Sequence, residues 1–352
     1  MAATPTPPAS APEPTPAYRS LGRSGLKVSA LWLGTMMFGD QTNEADARRM
    51  IDMARDAGVN AIDTADVYAR GGSERMLGAL LSADRERWVI ATKVAYPMGP
   101  GPNERGLSRR RLTLAVDASL QRLATDWIDI YYIHRDDTST PIEETVQAMG
   151  DLISNDKIRY WGVSNLRAWQ VAQMVETCRR MGVPAPIVCQ PVYNAMSRGI
   201  ETELLPCCAE YGVGVVPYSP LARGVLTGKY TQGAEPEQGS RAGRADARLM
   251  QTEFRSESLE LSQRFKAHAE ERDMRPSQFA VAWVLRNQLI NGVIGGPRTV
   301  AQWEDYLGAL ALQLTPEDEA FVDGLVPAGF ASTHGYVDPA YPVTGRVTPR
   351  SA

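Results

Sequence analysis

WVIATKV (residues 88–94), a helical pattern from Ser108 to Ala124, and WIDIYYIH (127–134) read in succession as strand, helix and strand. Both strand runs are nearly continuous in apolar residues, the pattern of parallel strands covered on both faces. The same unit recurs outward in both directions. Towards the N-terminus stand SALWLGT (29–35), a helix near 44–57 ending at Gly58, NAIDTAD (60–66) and a helix through 73–83. Towards the C-terminus a helix over 141–156 opens on PIEETV, with Pro and acids where a helix start favours them. IRYWGVSN (158–165), PIVCQPVYN (186–194), VGVVPYSP (213–220) and NGVIGGP (291–297) follow, each with a helical pattern after it. Eight such units without an internal linker predict an α/β fold of the (β/α)8 TIM-barrel type, with its active site at the C-terminal face of a closed parallel sheet.

The flanks carry further signals. YRSLGRSGLKVS (18–29) has a Gly-rich break expected to form a hairpin that plugs the barrel floor. The interval 222–256 shows no regular period, and a connection that long is usually functional or disordered. It follows the seventh strand, where a lid or cofactor clamp belongs. TPEDEAFVDGLV (315–326) predicts one more capped helix. The expected organisation is therefore a disordered Pro/Ala-rich leader over 1–17, a barrel over 18–330 and a tail over 331–352 that shapes a substrate pocket.

Composition narrows the function. Thirty-seven basic against 41 acidic residues leave a formal charge of −4, so no case arises for nucleic acid or an anionic membrane as partner. No run approaches the length of a membrane span, and residues 1–17 lack the basic start and apolar segment of a secretory signal. The four cysteines, Cys178, Cys189, Cys207 and Cys208, form no CxxC pair and read as free thiols in a reducing cytoplasm. Oligomeric state is not legible.

Polar residues at the ends of buried strands need a reason. Asp63, Lys93, His134, Ser164, Asn165, Gln190, Tyr218 and Ser219 all fall in or toward the C-terminal ends of successive strands. Lys93 beside Asp63 makes a poor stabiliser, because desolvation offsets most of the Coulomb gain. It does fix a positive charge, and a tyrosine next to that charge is expected to have its pKa lowered from about 10. Tyr68, five residues after Asp63, is placed to be that tyrosine and to give a proton to a developing alkoxide. His134 can donate a second hydrogen bond to a carbonyl oxygen. These groups include no hydride donor, so a nicotinamide is implied, although no GxGxxG follows any strand.

Over residues 18–345 the chain resembles the aldo-keto reductases, through DTADVY (63–68), ATKV (91–94), YIH (132–134), GVSN (162–165), QPVYN (190–194), YSPLARGVLTGKY (218–230) and GGPRTVAQWEDYLGAL (295–310). The resemblance implies NADPH-dependent, reversible reduction of an aldehyde or ketone, with Asp63, Tyr68, Lys93 and His134 as catalytic tetrad. It implies that Ser164, Asn165 and Gln190 hold the nicotinamide carboxamide while Tyr218 stacks on its ring. Ser219, Pro220, Leu221, Arg223 and Lys229 match the loop around the pyrophosphate, with Arg241 added. Arg298 and Gln302 fall where the family grips the 2′-phosphate and ribose, and Thr35, Gly296 and Asp305 complete the cofactor contacts. Arg suits phosphate because its planar fork makes bidentate charged bonds, which favours NADP(H) over NAD(H). Two departures are present: Asp305-Tyr306 stands where relatives often have Glu-Asn, and Asp136 where Pro is frequent. Tyr306 cannot copy an amide's paired donor and acceptor.

A rival reading is a nicotinamide-binding regulatory subunit like the β subunits of potassium channels; the full tetrad with His134 argues against it. A metal-dependent hydrolase lacks ligands, since His134, His268 and His334 lie far apart in sequence. Arg109, Arg110 and Arg111 read as the solvated start of a helix, and ADARLM (245–250) and the seven tryptophans as packing, with Trp32, Trp127 and Trp161 inside strands.

Overall fold

The computed structural model describes residues 18–344, so the expected leader and the last eight residues of the tail lie outside the described part. Two short strands, β1 (Tyr18–Ser20) and β2 (Lys27–Ser29), pair antiparallel as a hairpin. Eight parallel strands then alternate with helices: β3 (Leu31–Gly34), β4 (Ala61–Asp63), β5 (Val89–Val94), β6 (Ile128–Ile133), β7 (Ile158–Ser164), β8 (Val188–Gln190), β9 (Gly214–Val215) and β10 (Val293–Gly295). They lie side by side in the order β10-β3-β4-β5-β6-β7-β8-β9. Across the remaining seam Asn291 N donates to Val215 O at 2.8 Å and Ile294 N to Pro217 O at 2.9 Å, which curls the sheet into the expected barrel.

The outer layer is α1 (Glu44–Asp56), α2 (Gly72–Leu81), α3 (Arg109–Leu123), α4 (Ile142–Ser154), α5 (Ala168–Met181), α6 (Leu204–Tyr211), α7 (Ala247–Gln251), α8 (Ser256–Glu270), α9 (Pro276–Arg286), α10 (Val300–Gly308) and α11 (Pro316–Leu325). Their starts follow local chemistry. Asn43, Ser108 and Thr315 cap α1, α3 and α11 by accepting from backbone N–H groups three residues on. None of the described helices is long and apolar enough to cross a membrane.

Alternation along each strand separates two cores. Trp32, Ala61, Ala91, Ile130, Tyr132, Val188 and Ile294 fill the barrel interior, whereas Leu33, Ile62, Ile90, Tyr131, Trp161 and Val163 pack outward under the helices. Gly162 makes room for the Tyr132 ring: a Cβ there would stand 2.6 Å from both Tyr132 and Val188 side chains. Leu21 and Val28 of the hairpin join the interior cluster and close its floor, as expected. Gly22 turns that hairpin at φ +57°, and a Cβ would meet the Ile187 carbonyl at 2.5 Å.

Three packing expectations are corrected. Arg111 is not solvated: it is buried on the face of α3 that also carries Ala115 and Ser119, and its Nη2 lies 2.9 Å from Asp66. Trp127 precedes β6 and is half-buried, with the Arg85 and Arg159 guanidinium carbons 4.5 and 5.7 Å from its ring centroid. ADARLM holds the N-cap and first residues of α7, where Leu249 packs inward but Arg248 does not. Trp32 and Trp161 are fully buried in strands, as expected.

Candidate active site

Strand register brings the polar strand ends together. Asp63 at the end of β4 pairs in register with Ala91, two residues before Lys93 on β5, and Ser164 on β7 stands opposite Gln190 on β8. Inside the mouth Lys93 Nζ donates to Asp63 Oδ1 at 2.5 Å, to Thr64 O at 2.8 Å and to Tyr68 OH at 3.2 Å. Gln190 Nε2 donates to the other Asp63 oxygen at 2.7 Å. Tyr68 opens a single helical turn, Tyr68–Gly71, in which Ala69 and Arg70 sit at φ 47° and 51°. Non-glycine residues in that region are costly and collect at functional sites; here they aim the ring inward.

His134 follows β6, with its backbone N–H on Val94 O at 2.9 Å. Its ring stands edge-on to Tyr96, centroids 4.7 Å apart, and to Tyr68, 6.1 Å apart. Among the described residues its buried Nδ1 has no hydrogen-bond partner. Burial, then the charges of Lys93 and Arg135, hold the imidazole well below the usual histidine range, so it is neutral.

Burial pulls the Lys93 ammonium down, but Asp63 and then Tyr68 pull it up by more, and it stays charged. Tyr68 overturns an expectation. Burial pushes the phenol up, Lys93 pulls it down and Asp63 pushes it up again, with a net rise above 10.0 rather than the expected fall. The physical reason is that burial strips water from the phenol, and the Asp63 carboxylate, 2.5 Å from Lys93, offsets part of the ammonium's pull. Tyr68 therefore keeps its proton at neutral pH.

These side chains border a cavity of about 700 Å³. Thr35, Asp63, Tyr68, His134, Asn165, Gln190, Tyr218, Ser219, Pro220 and Leu221 line it near the tetrad. Arg223, Lys229, Arg241, Gly296, Arg298, Gln302 and Asp305 line it farther along. Lys93 and Ser164 stand behind that wall. Ser164 Oγ is committed to Gln190 O at 2.8 Å. Asn165, at φ 60°, donates to His134 O at 3.0 Å and accepts from Tyr218 OH at 2.8 Å.

Several residues expected to hold a cofactor are engaged within the protein. Arg298 Nη1 donates to Gly239 O at 2.7 Å, and its backbone N–H to Gln302 Oε1 at 2.8 Å. Asp305 takes hydrogen bonds from Arg275 and Ser277, which places its carboxylate on α9 although the residue still borders the cavity. Tyr306 packs over Gly295, whose Cβ would stand 2.8 Å from the ring.

Sequence reasoning missed Tyr96, Arg135, Arg244 and Arg248, all on the cavity wall, whereas Tyr341 belongs to the tail expected to shape the pocket. Arg244 lies on a turn before α7 and Arg248 in its first turn, so no helical spacing linked the pair. The interval after β9 resolves into a helical turn, Ala222–Thr227, a loop whose Ser240 and Arg241 border the cavity, and α7.

A family model described as the aldo/keto reductase family matches residues 30–327. A protein of Arabidopsis thaliana named a probable voltage-gated potassium channel subunit beta is 39% identical over 298 residues, covering 83% of this chain and 90% of its own. One of the same name from Oryza sativa subsp. japonica is 37% identical over 326 residues, covering 91% of this chain and 99% of its own. With the barrel and the strand-end residues in place, these matches show that the chain belongs to the aldo/keto reductase family.

Proposed function

We propose that the chain reduces aldehydes or ketones to alcohols, reversibly, with NADPH as hydride source. The observation that carries this reading is the Tyr68 hydroxyl, 3.2 Å from a buried Lys93 that is itself 2.5 Å from Asp63, at the wall of one large cavity. The groove fits a dinucleotide. Its far end is rich in guanidinium groups, Lys229 Nζ lies 3.2 Å from where a Gly224 Cβ would be, and nothing lies within 4 Å of where a Gly296 Cβ would be.

Arg223, Lys229 and Arg241 would hold the pyrophosphate, and Arg298 with Gln302 the 2′-phosphate and ribose. Tyr218 and Asn165 would face the nicotinamide, whose contribution when bound is the hydride. The chain's own part is the proton. Tyr68 holds it in the ground state, and Lys93 stabilises the phenolate as it forms, so the stabilisation appears mainly in the transition state. Neutral His134 donates to the carbonyl oxygen and orients it. Tyr96, Arg135 and the tail residues Ala340 and Tyr341 would form the substrate end, while Phe330, just before the tail, is 57% exposed. Four free cysteines suit a reducing cytoplasm.

A screen of NADPH oxidation against a panel of carbonyl compounds tests the reading. Two finer outcomes are expected. Arg298→Ala weakens NADPH binding at least about tenfold more than NADH binding, as loss of a charge-assisted contact to phosphate requires; equal losses by fluorescence titration remove Arg298 from the phosphate. His134 and Tyr68 both remain uncharged through the neutral range. So kcat/KM for reduction is flat from about pH 6 to 9, without the step near 6.5 that an ordinary histidine gives. A limb near 6.5 assigns the donor role to a charged imidazole instead.

A second reading is supported by the naming of the relatives as channel subunits: a β subunit that assembles with a potassium channel and binds the nicotinamide as a sensed ligand. Protein that binds NADPH yet oxidises it with no carbonyl of the panel favours that reading.

A further inference from the structure

We propose that Arg135 receives a carboxylate carried by the carbonyl substrate, so that the chain's preferred substrates are aldehyde or ketone acids. This rests on the oxidoreductase reading above and names the substrate class of the same site.

Arg135 immediately follows His134 beyond the end of β6 and borders the cavity half-buried. Its guanidinium carbon lies 5.5 Å from the centroid of the Tyr96 ring, whose own edge-on contact with His134 is 4.7 Å between centroids. The three groups therefore make one continuous wall. Resting on an aromatic face holds a guanidinium in place while leaving its planar edge of donors for a partner.

The other arginines of the cavity already have internal partners. Arg223 donates to Thr252, Arg241 faces Asp246, Arg244 and Arg298 both donate to Gly239 O, and Arg248 pairs with Asp338 at 2.6 Å. No such partner is found for Arg135 among the described residues. Among the described residues only two acids border the cavity: Asp63, neutralised by Lys93, and Asp305, engaged by Arg275 and Ser277. The substrate end thus presents a cation without a counter-charge. That charge also helps to hold His134 neutral, so its effect already reaches the group that would orient the carbonyl.

A part-buried guanidinium without a partner is costly unless its ligand supplies the charge. A carboxylate fits its fork by two parallel N–H···O bonds. The phosphates of a dinucleotide have their own cations on the loops after β9 and β10. Arg135, on the loop after β6, is left for the substrate. A carbonyl acid would then be held at both ends, its oxo group by Tyr68 and His134 and its carboxylate by Arg135. That two-point attachment fixes orientation as well as affinity.

Calorimetry on the full-length chain saturated with NADP+, so that the phosphate-binding cations are occupied, tests this with benzoate and uncharged benzamide as probes. Wild-type protein is expected to prefer benzoate. In Arg135→Met the benzoate-over-benzamide ratio should fall at least about tenfold, the factor that 1.4 kcal/mol carries. Arg135→Lys should keep part of the preference. A general loss of structure weakens both probes and leaves the ratio in place. An unchanged ratio in Arg135→Met, or no preference in the wild type, overturns the proposal. Arg135-dependent benzoate binding in protein that reduces no aldehyde supports the anion site and removes only the reductase reading.

Discussion

Tyr68→Phe is expected to lower carbonyl reduction by about a hundred- to ten-thousand-fold, the range that a general acid contributes, while NADPH affinity stays nearly intact. The substitution deletes one oxygen. The ring that Lys93 Nζ approaches to 4.8 Å, and that meets His134 edge-on, remains in place. What goes is the hydroxyl 3.2 Å from Lys93, and with it the proton that the ammonium can help to release towards the cavity. Steady-state turnover together with a fluorescence titration of NADPH separates the two effects. Unchanged turnover takes Tyr68 out of the proton path, and a parallel loss of NADPH affinity makes it a binding residue.

Lys93→Met should be the most damaging single change to stability. Lys93 is fully buried and its partner Asp63 is 3% exposed. Without the ammonium, the Asp63 carboxylate keeps one donor, Gln190 Nε2, and Thr64 O loses a hydrogen bond. Breaking a buried pair by removing one partner costs about 3–5 kcal/mol, because the remaining charge is left uncompensated. The same principle holds that a neutral, well-packed replacement of both charges is far less costly. The double variant Asp63→Asn/Lys93→Met should therefore recover much of the loss in denaturant titrations, although neither variant reduces carbonyls. A single variant that unfolds at the wild-type denaturant concentration contradicts the ion pair.

The barrel was legible because each buried strand writes its own period. WVIATKV and WIDIYYIH become β5 and β6 to within a residue, and Asp63, Lys93 and His134 were recognisable as polar groups at strand ends. What escaped were properties set by packing between distant segments. The attraction of Lys93 for Tyr68 is visible in the motif, but the desolvation that outweighs it comes from walls built by separate loops, Tyr96 among them. Arg111 read as solvent-facing because its partner Asp66 lies 45 positions away. Nothing local reveals that Arg275 and Ser277 reach the Asp305 carboxylate. Arg135, with no partner anywhere in the described chain, left no trace in pattern or period.

The central claim is that Tyr68 and Lys93 deliver a proton to a carbonyl as hydride arrives from the nicotinamide. A single-turnover experiment tests it most directly: protein loaded with NADPH deuterated at the transferring position of the nicotinamide ring is mixed with para-carboxybenzaldehyde, and the alcohol formed is analysed by mass spectrometry. The account predicts deuterium on the new carbinol carbon in the wild type and almost no alcohol in Tyr68→Phe. Alcohol formed equally by both proteins, or NADPH left unoxidised in the wild type, would contradict it.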